Sequence, residues 1–190
     1  MGSIKETEKK ATRSAAPFWR AYVGLGNPGD EYERTYHNAG RQLIAALAQK
    51  TGQVDWKSPK GKPFSYALDN GIAYCILDGY MNASGPALRA ALAYLKIPLT
   101  DTLVCHDDSD MTIGKYKIVH GQSSGGHKGA QSIIDTFHTQ DFWRCKIGIR
   151  PTAETVRQKA EEFVLKKIKK EDAAVLQAIF EKIEKEISHP

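Results

Sequence analysis

The sequence predicts an α/β fold, and three observations support that expectation. Short apolar runs, such as residues 21–23, 72–77 and 102–105, alternate with segments whose apolar residues recur at helical spacing. An Asn70-Gly71 pair joins two of the runs, which is a strong hairpin signal. Polar residues collect just past the ends of several runs, where α/β sheets usually carry their sites. At 190 residues the chain is long enough for one domain with a substantial core. One domain over 18–190 is therefore expected, after a disordered extension over 1–17 that is polar and mixed in charge.

The first strand leads into YVGLGNPGDEYERTYHNAG, residues 22–40. Gly24, Gly26, Pro28 and Gly29 hold Asn27 on a tight, stiffened loop, and His37 and Asn38 stand where a helical pattern begins. Ala39, Leu43, Ile44, Leu47 and Ala48 make 38–50 an amphipathic helix ending near Gly52. Residues 64–68 and 72–77 are the strands of the hairpin. After Gly79-Tyr80-Met81-Asn82, Ser84 is expected to N-cap an Ala- and Leu-rich helix ending near Pro98. Residues 102–105 read as a short strand, with His106, Asp107, Asp108 and Asp110 beyond its end. A further strand over 115–119 precedes a glycine-rich loop, 121–129, and a helix over 130–137. The strand 144–149 is followed by two helical segments, the second with Val175, Ile179, Ile183 and Ile187 on one stripe.

Lys and Arg number 27 against 22 Asp and Glu, for a net charge of +5 and a pI near 9.0. That moderate basic bias fits a polyanionic partner without requiring one. Cys75, Cys105 and Cys145 lie in separate apolar runs with no CxxC spacing. Reduced core thiols and a cytoplasmic location are expected rather than a disulfide frame or zinc site. No run reaches the roughly 18 apolar residues of a membrane span, and no apolar secretory core is present. Lysines 166, 167, 169 and 170 read as a solvated helix face more readily than as phosphate contacts. Nothing demands a dimer, so a monomer is expected.

Gly24-Leu25-Gly26-Asn27-Pro28-Gly29 matches the dinucleotide pattern GxGxxG, which would make a nucleotide-dependent oxidoreductase. The match is weak: Pro28 has no N–H for a pyrophosphate, the helix starts only near Asn38, and no acidic residue closes a second strand about 20 residues on. The string 106–110 invites a metal, but adjacent residues of an extended segment point to opposite faces and cannot wrap one ion. Asp108 and Asp110 are more simply turn residues. A His supported by an Asp makes a general base, because the carboxylate holds one tautomer and stabilises the imidazolium. His37 and Asp107 are the candidates, beside a capping or core role for the histidine.

Six strings carry a resemblance: VGLGNPGDEY, HNAG, YMNASG, HDDSD, SSGGHKG and KIGIRP, in order from Val23 to about Arg150, with a weaker match over 162–165. On these the chain resembles the bacterial-type peptidyl-tRNA hydrolases. The resemblance implies a single α/β domain, a twisted mixed sheet flanked by helices, that cleaves the ester joining a peptide to the 3′ ribose of tRNA and so recycles tRNA. It implies no metal or organic cofactor. It assigns His37 as general base, Asp107 as its support and Asn27 as the amide that favours blocked over free aminoacyl-tRNA. Asn82 resembles a substrate- and water-positioning amide. Tyr32, Asn38, Tyr80, Met81, Gly125, His127 and Lys128 border the implied cleft, and Lys115, Lys117, Arg144 and Lys146 are expected to meet tRNA phosphates.

Three positions depart from the family pattern. Lys128 stands where an asparagine usually follows the His of the GGH loop, Tyr36 where an arginine usually precedes the active-site His, and Val119 at a position that is commonly basic. Lysine accepts no hydrogen bond, so Lys128 impairs the site, retunes it or adds a phosphate contact. These departures motivate a second reading, an RNA-binding relative with weak hydrolysis; the retained His37, Asp107, Asn27 and Asn82 favour the enzyme.

Overall fold

The computed structural model describes residues 19–52, 54–152 and 159–188, so the expected extension over 1–17 lies outside the described residues. Six strands form one sheet: β1 (Ala21–Gly24), β2 (Phe64–Asp69), β3 (Ile72–Leu77), β4 (Thr102–Thr112), β5 (Tyr116–His120) and β6 (Trp143–Arg150). Their order is β2-β3-β1-β4-β6-β5. The four central strands are mutually parallel, and β2 and β5 close the edges in antiparallel pairing. Parallel neighbours need long crossovers, which the helices supply: α1 (Ala39–Lys50), α2 (Ser84–Leu95) and α3 (Lys128–Phe137). A one-turn α4 (Ala160–Phe163) and the long α5 (Lys170–Ser188) complete the chain. The expected mixed sheet flanked by helices is the observed architecture.

Alternation along the strands sorts the core into two layers. Tyr22, Leu103, Cys105 and Ile147 pack with α1 and α5, whereas Val23, Val104, Ala73 and Cys75 pack with α2 and α3. The Asn70-Gly71 turn has φ of 47° and 82°, as a two-residue hairpin with both central residues left-handed requires. Three expectations change. Ser84 is the first residue of α2 rather than its cap, because a 3-10 turn over Met81–Ala83 precedes it and its Oγ donates to Met81 O at 2.8 Å. The buried stripe of α5 is Leu176, Ile179, Phe180, Ile183 and Ile187, with Val175 exposed. Each four-residue step turns about 40° beyond a full turn, so Val175 drifts off the face that Ile187 occupies.

The third change places the site. Strand β4 does not end at Cys105. Its pairing with β1 stops there, at Gly24↔Cys105, and Leu25 N–H closes the ladder on Cys105 O at 3.0 Å. On its other side β6 continues the ladder through His106↔Lys146, Asp107↔Ile147 and Asp108↔Gly148. Thus β4 outlasts β1 and leaves a notch beside Asp107, at the carboxyl ends of the parallel strands, where the chain leaving β1 turns into α1 on one face while α3 covers the other.

The amino end of α1 fits into that notch only because two glycines let backbones touch. A Cβ on Gly40 would lie 2.1 Å from Cys105 O, and one on Gly24 would lie 2.7 Å from Gly40 O. Gly24 therefore serves helix–strand contact, and α1 begins ten residues after Gly29, so the glycines of 24–29 do not lead into a phosphate-binding helix. Gly40→Ala should destabilise the protein by about 3 kcal/mol, since the new methyl would run into the β4 backbone at Cys105 and His106, which cannot rotate aside; urea denaturation measures it.

Candidate active site

His37 sits in a 3-10 turn over Tyr36–Asn38 that runs directly into α1. Its backbone is held from outside that turn: His37 N–H donates to Val164 O at 2.8 Å, and Tyr36 N–H to Lys166 O at 3.3 Å. Its Nδ1 lies 2.9 Å from Asp107 Oδ1, with the His side chain 13% and the Asp side chain 2% exposed. Residues seventy positions apart thus meet across the notch. The carboxylate fixes Nδ1–H as donor, which leaves Nε2 of His37 as the free base on the cleft side.

A second imidazole shares the same oxygen. His127 Nε2 lies 2.9 Å from Asp107 Oδ1, while its Nδ1 accepts Ala130 N–H at 3.1 Å and caps α3. Capping holds Nδ1 unprotonated, so Nε2 carries the hydrogen and donates to the carboxylate. Burial pushes the Asp107 carboxyl up, but the two imidazoles beside it outweigh burial and hold it below the usual carboxylate range. His127, expected only to border substrate, thus also donates to the carboxylate that supports His37.

Asn27 is positioned by an interlocking set of amides. Asn27 N–H donates to Asn38 Oδ1 at 2.8 Å, Asn38 Nδ2 donates to Asn27 O at 2.9 Å, and Met81 N–H donates to Asn27 Oδ1 at 2.8 Å. With its oxygen committed, Asn27 keeps Nδ2 for the cleft. Asn38 is fully buried and spends both ends of its amide on Asn27, so it supports the loop and does not touch the cleft. Tyr32 also stands back, packing edge-on against Tyr80 at 6.3 Å. Asn27, His37, Tyr80, Met81, Asn82, Asp107, Gly125, His127 and Lys128 all line one cavity of about 1170 Å³. Lys159, Ala160, Glu161, Val164 and Leu165 also line it, where the sequence offered only the weaker family match over 162–165.

A neighbouring groove of about 730 Å³ is bordered by Lys115, Lys117, Val119, Lys146 and Lys182 of α5. Arg144 does not reach it. It is fully buried, and its guanidinium donates to Gln122 O and Ser123 O, both at 2.7 Å, bracing the glycine-rich loop. Tyr36 is likewise turned away from the chemistry: its hydroxyl donates to Asp172 Oδ2 and its ring packs on Phe163. Of the sequence-expected phosphate contacts, Lys115 and Lys117 are exposed and Lys146 is half-buried.

Among the described residues, His37, Asp107 and His127 also bring their ligand atoms together, within 4.8 Å of one another. Both ring nitrogens there are committed as N–H donors to one carboxylate oxygen, and a cation would have to replace those hydrogens. The set is arranged for holding a proton.

A mixed sheet with a buried carboxylate and a cleft-facing imidazole at its parallel carboxyl edge defines a class: α/β enzymes with a His–Asp pair suited to proton transfer. Comparison with known proteins narrows it. The family model for peptidyl-tRNA hydrolase matches residues 21–189. The peptidyl-tRNA hydrolase of Thermodesulfovibrio yellowstonii is 41% identical over 158 residues, covering 82% of this chain and 83% of the relative. That of Thermosynechococcus vestitus is 38% identical over 166 residues, covering 84% and 81%. A crystal structure of peptidyl-tRNA hydrolase from Acinetobacter baumannii superposes with a TM-score of 0.78 at 27% identity, covering 92% of this chain and 89% of that one. The chain belongs to the peptidyl-tRNA hydrolase family.

A third imidazole gives the site a measurable pH dependence. His106 donates from Nδ1 to Asp107 O at 2.6 Å, and its Nε2 is buried with no hydrogen-bond partner among the described residues. Burial, with His127 and Arg144 nearby, holds it well below the ordinary histidine range despite Asp107. The folded protein keeps His106 neutral while the unfolded chain protonates it below about pH 6.5. Stability should therefore fall as pH drops below that value, by up to about 1.4 kcal/mol per pH unit. Urea midpoints between pH 7 and pH 5 test this, and His106→Asn should flatten the slope.

Proposed function

We propose that this protein hydrolyses the ester between a peptide and the 3′ ribose of tRNA, recycling tRNA from prematurely released peptidyl-tRNA. The observation that carries this reading is the 2.9 Å contact between His37 Nδ1 and Asp107 Oδ1 at the floor of a cleft edged by Asn27 and Asn82. His37 Nε2 takes a proton from water as the water oxygen attacks the ester carbonyl, and Asp107 stabilises the imidazolium. The tetrahedral oxyanion draws on the Asn82 amide and on the Lys128 N–H at the start of α3, where the cleft reaches the helix and the Ala130 N–H is already taken by His127. Collapse expels the ribose 3′ oxygen, which takes the proton back from His37. The N–H of Asn27 Nδ2 meets the carbonyl of a blocked amino group, whereas a free ammonium offers only donors and is refused.

The groove bordered by Lys115, Lys117 and Lys146 would receive tRNA phosphates. Lys117 stands directly opposite Lys146 in the β5–β6 pair, a like-charge arrangement that costs stability in the free protein and is relieved by an anion. Three buried free cysteines fit a reducing compartment, and we place the protein in the cytoplasm as a monomer. Among the described residues no helix is long and apolar enough to cross a membrane.

Single-turnover assays should show cleavage of N-acetyl-aminoacyl-tRNA and not of free aminoacyl-tRNA, at a rate that EDTA leaves unchanged. His37→Ala should lower that rate by about 10² to 10⁴ with tRNA binding retained; wild-type speed in the variant would remove His37 from the mechanism. Lys128→Asn tests the weak-hydrolysis reading separately. With the His–Asp pair intact and Tyr36 outside the cleft, we expect a change of less than about tenfold, and a large gain in rate would show that lysine compromises the site.

A further inference from the structure

The cleft and the basic groove share three lining residues, Asp108, Asp110 and Lys146. Two of them are joined: Lys146 Nζ lies 2.6 Å from Asp108 Oδ2, with side chains 22% and 12% exposed. The other oxygen, Asp108 Oδ1, accepts Asp110 N–H at 2.9 Å. This holds the carboxylate where β4 begins the register shift that follows Asp108. An anchored anion therefore sits on a flexible cation at the threshold between the two cavities, next to Lys117, the exposed lysine that faces Lys146 across the strands.

We infer that Asp108 is an internal counter-ion that competes with RNA phosphate for Lys146, and so sets how tightly the substrate is held. The inference rests on the tRNA reading above. Asp108 relieves one half of the Lys117–Lys146 repulsion in the free protein. When a phosphate enters the groove, the Lys146 ammonium can turn to it, because a lysine stem rotates freely and its three hydrogens suit any acceptor. The carboxylate stays behind, tethered by the Asp110 amide, and loses the ion pair that compensated its partial burial, a cost the phosphate–Lys146 contact has to offset. A bound tRNA thus gains less from Lys146 than an unopposed lysine would give, and it leaves faster.

Asp108→Asn removes the charge and keeps an oxygen for the Asp110 amide, so it separates electrostatics from structure. Binding of deacylated tRNA, followed by fluorescence anisotropy from 50 to 300 mM salt, should tighten by about tenfold at the low end. The plot of log affinity against log salt should steepen by about 0.9, the signature of one more neutralised phosphate. In a Lys146→Ala background the same substitution should change affinity less than about twofold, since the competition runs through that lysine. Unchanged or weaker binding by Asp108→Asn would overturn the inference, as would a gain that persists without Lys146. If the wild-type protein itself fails to bind tRNA while remaining folded, the tRNA reading fails, which is a separate result.

Discussion

A single carboxylate oxygen organises this site. Asp107 Oδ1 accepts from His37 Nδ1 on one side and from His127 Nε2 on the other, each at 2.9 Å, in a strand position that is 1% exposed. An isolated buried carboxylate would be strongly disfavoured. Two N–H donors make it tolerable, and in return the carboxylate dictates which nitrogen of each ring carries hydrogen. The free lone pair of His37 then has to point into the cleft. A reactive group oriented by a buried ion is held more firmly than one on a mobile loop.

The notch that makes this possible is a consequence of unequal strands. Strand β4 continues along β6 after β1 has turned away, so Asp107 has a ladder on one side and open space on the other. Into that space the amino end of α1 brings His37, at the close approach that Gly24 and Gly40 permit. The C-terminal segment locks the arrangement from outside. Val164 O and Lys166 O hold the backbone of the His37 turn, Ile168 N–H donates to Arg34 O, and Lys167 Nζ donates to Glu31 O. The same segment supplies Val164 and Leu165 to the cleft wall. One strap therefore positions the base and shapes the space that substrate would enter. Tyr36 belongs to that strap through Asp172, which accounts for its burial next to a catalytic candidate.

Charge is arranged with similar economy. The basic groove adjoins the cleft, and its lysines are either exposed or covered by a removable counter-ion, whereas Arg144 is spent inside the fold bracing the loop that carries His127. A cation count along β5 and β6 does not distinguish these uses. Arg144 and Lys146 are two residues apart and point to the same face of the sheet, yet the loop 121–124 covers one and leaves the other at the cavity.

Much of this was legible in the residues. Periodicity located α1, α2 and α3 within about three residues, the Asn-Gly pair fixed the hairpin, and six short strings pointed to the family and to His37, Asp107, Asn27 and Asn82 as a group. Local pattern failed where pairing or packing decides. The end of β4 was misplaced because its polar residues 106–110 look like a turn, and only the neighbouring β6 makes them strand. Asn38 and Arg144 have chemistry that suits a binding site, but their hydrogen-bonding capacity is used within the fold. The double role of His127 had no local signal beyond a histidine after two glycines. By itself the sequence determined the elements, the chemical types of the site and the family, because those follow from side-chain period and local order. Only the tertiary structure decided which imidazole shares which oxygen and which cations face solvent, because those depend on distances between segments up to seventy residues apart.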